Sequence, residues 1–118
     1  MKRLTLIIGM WLGMVFSLAA AETPEYPGGT DALENYLAEN MKYPATARNN
    51  GIEGVVNISF VVNIDGSIGQ IKVVRQVDPD LEQEAIRLVK SMPAWTPAEK
   101  NGQPVAGEAV VAVNFSLE

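Results

Sequence analysis

The apolar residues change their spacing at Gly54, and this change constrains the fold more than any other feature of the sequence. After Gly54, apolar side chains occupy every second position, as they do in a strand with one buried face. The residues on that face are Val56, Ile58, Phe60, Val62 and Ile64. The chain before Gly54 and the segment from Leu81 to Met92 have helical spacing instead. A sheet covered by helices accounts for both the strand spacing and the helical spacing of the apolar residues.

A hairpin is predicted directly after this strand. Asp65-Gly66 is a strong signal for a short turn between two antiparallel strands. The returning strand covers Ser67 to Arg75, with Ile71 and Val73 on one face. Gly69 predicts a bulge within it, because glycine inside a strand often marks an extra residue.

A last strand is predicted near the C-terminus. Pro93 ends the preceding helix, and Trp95-Thr96-Pro97 forms an irregular crossing segment. Trp95 is expected to be a core residue or a partly buried lid, with a binding anchor as the alternative. Asn101-Gly102 is expected to turn the chain into the strand. Its two faces alternate as Ala109, Val111, Val113, Phe115 and Leu117 against Val110, Ala112, Asn114 and Ser116. This alternation predicts one buried and one exposed face.

Two amphipathic segments predict helices. In the first, Asp31 followed by Glu34 predicts a capping-box start, and Tyr43-Pro44 stops the helical run. Its apolar stripe is Leu33, Tyr36, Leu37 and Met41. In the second, Asp78 is the predicted N-cap and Pro79 the first helical residue. Its apolar stripe is Leu81, Ala85, Leu88, Val89 and Met92.

The order helix, strand, strand, helix, strand predicts an α+β fold, in which a three-stranded antiparallel sheet carries both helices on one face. An outer strand of such a sheet is unpaired on one side, and strands add there unless charge or proline blunts the edge. The last strand has neither between Ala109 and Leu117. We therefore predict binding at this edge. If the amide of Val113 points outward, Val113→Pro removes a hydrogen-bond donor from this edge. Val111→Pro tests a second residue on the same side of the strand.

The first residues predict a secretory signal. Lys2 and Arg3 precede an uncharged apolar run, and three alanines end at Ala21. We expect residues 1–21 to be cleaved off, leaving a periplasmic protein. The alternative is that this segment stays as a short inner-membrane anchor with the rest facing the periplasm.

The remaining chain has room for one domain: residues 22–29 form an extended lead-in and 30–118 the domain. The chain has no cysteine and no histidine, so thiolate metal sites and the usual Ser-His relay are not available. Its net charge of −5 repels phosphate backbones. We expect no enzyme activity, no cofactor, no metal site, no small-molecule substrate and no nucleic-acid partner.

Several short motifs follow one another in a fixed order along the chain. They are Tyr26-Pro27-Gly28-Gly29, Tyr43-Pro44 with Ala45, Ala47 and Arg48, Gly51-Ile52-Glu53-Gly54, Asp65-Gly66, Asp78-Pro79, Pro93-x-Trp95-x-Pro97 and Asn101-Gly102. Together they resemble the TonB C-terminal domain of the Bacteroidetes type, over about four-fifths of the chain. The resemblance implies a periplasmic domain that binds outer-membrane TonB-dependent transporters, or another envelope protein. It implies pairing with a short extended segment, the TonB box, near the last strand.

The resemblance also implies which residues contact the partner. They are Val110, Val111, Ala112, Val113, Asn114, Phe115 and Ser116, with Tyr43, Pro44 and Arg48 nearby. A structural role for the last three stays open: Tyr43 packs on the sheet, Pro44 stops a helix, and Arg48 pairs with an acid such as Glu53. The alternative function is a periplasmic structural or regulatory domain that forms a homodimer through the same edge.

A complete energy transducer of this family carries an N-terminal anchor with a histidine and a long proline-rich spacer. This sequence has no histidine, and about seven residues separate Ala21 from the first helical region. Fully extended, they span about 25 Å. We therefore do not expect this chain to couple energy by itself.

Overall fold

The computed structural model describes residues 23–117. Its elements are α1 (Gly29–Asn40), α2 (Ala45–Asn49), β1 (Gly54–Val62), β2 (Ile68–Val73), α3 (Pro79–Lys90), β3 (Ala98–Lys100), β4 (Gln103–Val105) and β5 (Gly107–Phe115). The predicted signal peptide or anchor, residues 1–21, lies outside the described residues. Within residues 23–117, no helix has both the length and the apolar character needed to span a bilayer.

The main sheet has the order β2–β1–β5, and both pairings are antiparallel. The predicted three-stranded sheet is confirmed. β1 occupies the centre because its core face is continuously apolar: Val56, Ile58, Phe60 and Val62 are at most 1% exposed. Ile64, predicted on the same face, is 62% exposed, because β1 ends at Val62.

The helix α3 supplies the other half of the core. The predicted stripe is confirmed for Leu81, Ala85, Leu88 and Val89, which are fully buried. The predicted N-cap is confirmed too. The carboxylate of Asp78 accepts hydrogen bonds from the amides of Asp80 and Leu81 at 3.0 and 3.1 Å. Such a cap stabilises a helix by about 1 kcal/mol.

The helix α1 starts earlier than predicted. It begins at Gly29, and no side chain caps it, so the expected capping box at Asp31 is wrong. A turn replaces the cap: the Gly29 amide donates to the carbonyl of Tyr26 at 2.8 Å. Gly28 and Gly29 both have positive φ, 93° and 88°, which glycine adopts at little cost. None of the residues of α1 is fully buried.

Two turns differ from the prediction. Asn101-Gly102 joins β3 to β4 in a small separate hairpin and does not lead into the last strand, which begins at Gly107. The register of β1 against β2 shifts opposite Phe60, at Gln70, one residue after the predicted bulge position Gly69. Gln70 takes a φ of 51°, which accommodates the extra residue.

The lead-in and the crossing segment close one end of the core. Trp95 is 7% exposed, as predicted for a core residue, and its ring lies edge-on to Phe60 and Tyr26. Glu25 and Thr96 exchange two backbone hydrogen bonds of 3.0 and 2.8 Å. The segment before α1 is therefore fixed beside the crossing segment, near the start of β5.

Candidate strand-binding edge on β5

The strand β5 pairs with β1 on one side, and no strand within residues 23–117 pairs with its other side. β5 has nine residues and no bulge against β1. From Ala109 to Phe115 it contains no charged residue and no proline. The predicted open edge is therefore present in the fold.

Two hydrogen bonds show which way the backbone of β1 points. The carbonyl of Asn57 accepts from the amide of Val74 at 2.9 Å, and the amide of Asn63 donates to Ser67 at 2.8 Å. Both contacts lie on the β2 side. Successive residues of a strand point their backbone groups to opposite sides. The core-facing residues of β1, such as Val56 and Ile58, therefore point theirs towards β5.

The register then assigns the backbone groups of β5. Val111 pairs with Ile58 and Val113 with Val56, so the amides of Val111 and Val113 point towards β1. The Val113→Pro test required the amide of Val113 to point outward. That requirement is not met, because the amide points towards β1. The amides and carbonyls of Val110, Ala112 and Asn114 point to the free edge. We call these three residues the open row.

The open row has the geometry that an extended segment requires. Its backbone groups recur every second residue, about 6.8 Å apart, which is the spacing on the edge of any strand. The side chains of Val110, Ala112 and Asn114 are exposed, and that of Val110 is 59% exposed.

The structure brings Tyr43 and Arg48 to the C-terminal end of β5. The ring of Tyr43 lies edge-on to Phe115 with centroids 5.7 Å apart, and its hydroxyl donates to the carbonyl of Ile52. The Arg48 guanidinium lies 5.1 Å from the Tyr43 ring centroid, a cation–π contact. Burial, together with the nearby Glu53 carboxylate, raises the pKa of Tyr43, so its hydroxyl remains a neutral donor.

The structural alternative for these residues holds only in part. Tyr43 packs on the sheet as that alternative predicted. Pro44 stands at the N-cap of α2, after α1 has already ended at Asn40. The pairing of Arg48 with Glu53 is wrong, because the Glu53 carboxylate instead accepts a hydrogen bond from the amide of Leu117 at 2.7 Å.

Sequence reasoning missed a buried acid, Glu84, which is 8% exposed. Its carboxylate accepts from the Lys42 amide at 2.7 Å and from the Arg87 guanidinium at 2.8 and 2.7 Å. Arg87 also donates to the carbonyl of Asn40 at 2.9 Å, so this cluster joins the end of α1 to α3. One signal was present in the sequence: Glu84 lies three residues after Leu81, on the buried stripe.

The pKa of Glu84 follows from this environment. Burial alone would raise it, but the hydrogen bonds from Arg87 and from the Lys42 amide outweigh burial and hold it below the ordinary value. Glu84 is therefore charged at neutral pH. No group of three or more potential metal ligands among His, Cys, Asp and Glu occurs within the part of the chain that the structure describes.

Comparison with known proteins places this geometry in a family. The family model described as Gram-negative bacterial TonB protein C-terminal matches residues 39–117. The TonB proteins of two Helicobacter pylori strains, J99 and 26695, are each 38% identical over 60 residues, which is 50% of this chain. The match covers 21% of the length of each of these curated relatives.

Two solved structures are similar as well. Both are solution NMR structures of the H. pylori TonB C-terminal domain, covering residues 194–285 and 179–285 of that protein. They match 72% of this chain with TM-scores of 0.57 and 0.51 and identities of 28% and 29%. The match covers 89% and 78% of those chains. Because the family model spans more than half of the sequence and the fold agrees, this chain belongs to the TonB C-terminal domain family.

Proposed function

We propose that this domain binds an extended segment of an outer-membrane transporter, or of another envelope protein, in TonB-dependent transport. The bound segment adds to β5 as a fourth strand of the sheet. The observation that carries the proposal is the open row, Val110, Ala112 and Asn114, whose backbone groups point away from β1. Membership of a transport-associated family supports the same role. The role is binding, without catalysis.

Strand addition suits a partner that is recognised while it is extended. The backbone of any extended segment can form the ladder, and each hydrogen bond contributes about 0.5–1.5 kcal/mol net. Side chains then set the register and the choice of partner. Tyr43 and Arg48 lie where the end of an added strand would pass Phe115. In this proposal they contact the partner in addition to supporting the fold.

We place this activity in the periplasm, after removal of residues 1–21. Intact-mass spectrometry of the protein from its native envelope tests this placement when it is run beside fractionation. A mass beginning at Glu22 in the soluble fraction supports a diffusible module. An uncleaved chain in the inner membrane contradicts cleavage and supports the anchored alternative.

A proline substitution tests the binding edge. Ala112→Pro removes one outward donor and leaves the β1 ladder intact, and edge strands tolerate proline where the amide faces solvent. The probes are synthetic peptides that span the TonB-box segments of TonB-dependent transporters from the same organism. We expect calorimetry to show at least about a tenfold loss of affinity, since a donor is lost and the proline ring crowds the ladder.

Two controls define the outcome. Ala112→Val keeps the amide and should bind like the parent protein. Val73 pairs with Ile58, which points its backbone groups towards β5, so the Val73 amide points to the opposite edge of the sheet. Val73→Pro removes this amide and should leave affinity unchanged. Circular dichroism confirms that each variant is folded. Unchanged affinity of a folded Ala112→Pro variant would reject binding at this edge.

A homodimer through the same edge is a second candidate, because the open row of one molecule can pair with the open row of a second copy. When two β5 strands pair antiparallel about Ala112, Val110 lies opposite Asn114 and Glu108 opposite Ser116. No two like charges then face each other across the new ladder. Sedimentation across a range of concentrations tests this assembly. A dimer that Ala112→Pro abolishes supports it, and a monomer at every concentration excludes it.

A further inference from the structure

A cavity of about 280 Å³ opens beside the first half of the β5 edge. Its apolar wall is formed by the lead-in, α1, the crossing segment and β5, through Pro24, Tyr26, Leu33, Trp95 and Ala109. Small-molecule pockets occupy about 300–1,000 Å³. This cavity lies just below that range and opens onto a strand edge, so its size suits one side chain.

The core face of β5 explains why space remains there. Phe115, Val113 and Val111 fill the core along the strand, but the next core-facing residue is the small, half-buried Ala109. Leu33 of α1 lines the same space and is also only half-buried. By contrast, the stripe of α3 is fully buried against β1 and β2. Leu33 of α1 and Ala109 of β5 therefore face a space that no side chain within residues 23–117 fills.

An added strand would supply the missing contact. The amide of Ala109 points towards Phe60 of β1, so the backbone groups of Ala109 do not bond to a new strand. Residues that lie side by side on adjacent strands are about 4.7–4.9 Å apart and point their side chains to the same face of the sheet, whichever way the added strand runs. The side chain of the new residue then points to the core side, towards Leu33.

We propose that this cavity selects the partner segment by receiving one apolar side chain, from the residue that pairs opposite Ala109. The inference rests on the proposed strand addition to β5 and names what the added strand must carry. The partner is an extended segment with an aliphatic or aromatic residue at that position. Glu25 and Glu108 line the rim of the cavity and disfavour an acidic residue there.

Selection from a displayed library tests the cavity and requires no identified partner. The probe is a library of randomised eight-residue segments on phage, selected on the immobilised protein. Binders are kept if Ala112→Pro abolishes their retention. Among them we expect one fixed position at which leucine is preferred over aspartate by about tenfold, the effect of burying an aliphatic side chain.

Two changes at Leu33 move the preference in opposite directions. Leu33→Trp narrows the cavity, so the selected residue should shift towards glycine, alanine or serine. Leu33→Ala enlarges the cavity, so the preference should move to phenylalanine or tryptophan. Leu37→Ala, one turn further along α1 and outside the cavity wall, should leave the preference unchanged. Near-UV circular dichroism confirms that each variant keeps its core.

The outcomes separate the two proposals. Binders that depend on Ala112 but show no size preference, or the same preference in both Leu33 variants, overturn the role of the cavity while strand addition stands. If no binder depends on Ala112, strand addition itself fails. A size preference that follows Leu33 in both directions supports both proposals.

Discussion

The two edges of the sheet are built differently. At one edge, β2 has six residues, a register shift at Gln70 and the charged Lys72. At the other, β5 has nine residues in regular register, with neither charge nor proline from Ala109 to Phe115. Short strands, bulges and lysine are the usual means by which proteins keep an edge from pairing with another chain. The fold protects one edge and leaves the other ready to pair.

The largest expected effect is a difference in stability between two proline substitutions in β5, one at an amide that bonds to β1 and one at an amide in the open row. Val113→Pro removes an amide that bonds to β1 and leaves a buried carbonyl without its donor, so the free energy of unfolding should fall by about 3 kcal/mol. Ala112→Pro should cost about 1 kcal/mol or less, because its amide faces the free edge. Urea unfolding measures both. Equal losses for the two variants would contradict the assignment of the open row.

The next effect concerns the Glu84 cluster, which joins the end of α1 to α3. Glu84→Ala removes the carboxylate that accepts from the Arg87 guanidinium and the Lys42 amide, which should lower the unfolding free energy by about 2 kcal/mol. Glu34→Ala, which removes an exposed acid of α1, is the matched control and should cost under about 0.5 kcal/mol. We also expect Glu84→Ala to weaken binding at the β5 edge, because α1 is held less firmly. Identical unfolding curves for the two variants would show that the cluster does not hold α1.

The Glu84 cluster also predicts how the stability of the fold depends on pH. The pKa of Glu84 is lower in the folded chain than in the unfolded chain, so its stabilising effect is present above the ordinary value of 4.5. That effect is lost as the pH falls through the lowered pKa, when the folded chain takes up the proton. Urea midpoints between pH 6 and about pH 3 measure it. Glu84→Gln should flatten this part of the curve, and an unchanged slope would assign it to other carboxylates.

The smallest effect is expected at the protected edge. Lys72 is exposed, so Lys72→Val should change stability by less than about 0.5 kcal/mol. It also removes a charge from the β2 edge, and weak self-association should increase in sedimentation experiments. Lys72→Arg keeps the charge and serves as the control. Because the bulge at Gln70 remains, strong dimerisation of Lys72→Val would mean that the charge alone protects this edge.

Side-chain periodicity was sufficient to predict most of the fold. The alternation from Val56 to Val62 predicted the core face of β1, and Asp78-Pro79 predicted the start of α3. Both signals act within a few residues, and the structure confirms both. The start of α1 was missed because a backbone turn at Tyr26 replaces the side-chain cap expected at Asp31.

The direction of the backbone in β5 could not be read from its own residues. Alternation tells which side chains face the core, but the lateral direction of each amide depends on the register with β1. That register rests on contacts between distant parts of the chain, such as Val56 with Val113. The position of the open edge was therefore predictable, whereas the residues whose amides and carbonyls point outward from it were not. Glu84 was missed for a similar reason, since its acceptor role depends on Lys42, which is distant in sequence.

Amide hydrogen exchange, followed by NMR, tests strand addition to β5 most directly. In the free protein the amides of Val110, Ala112 and Asn114 should exchange fast, while those of Val111 and Val113 exchange slowly. When a TonB-box peptide binds, the fast amides of β5 should become protected and the outward amide of Val73 on β2 should not change. Peptide binding that leaves Val110, Ala112 and Asn114 unprotected, or that protects Val73 instead, would contradict the account.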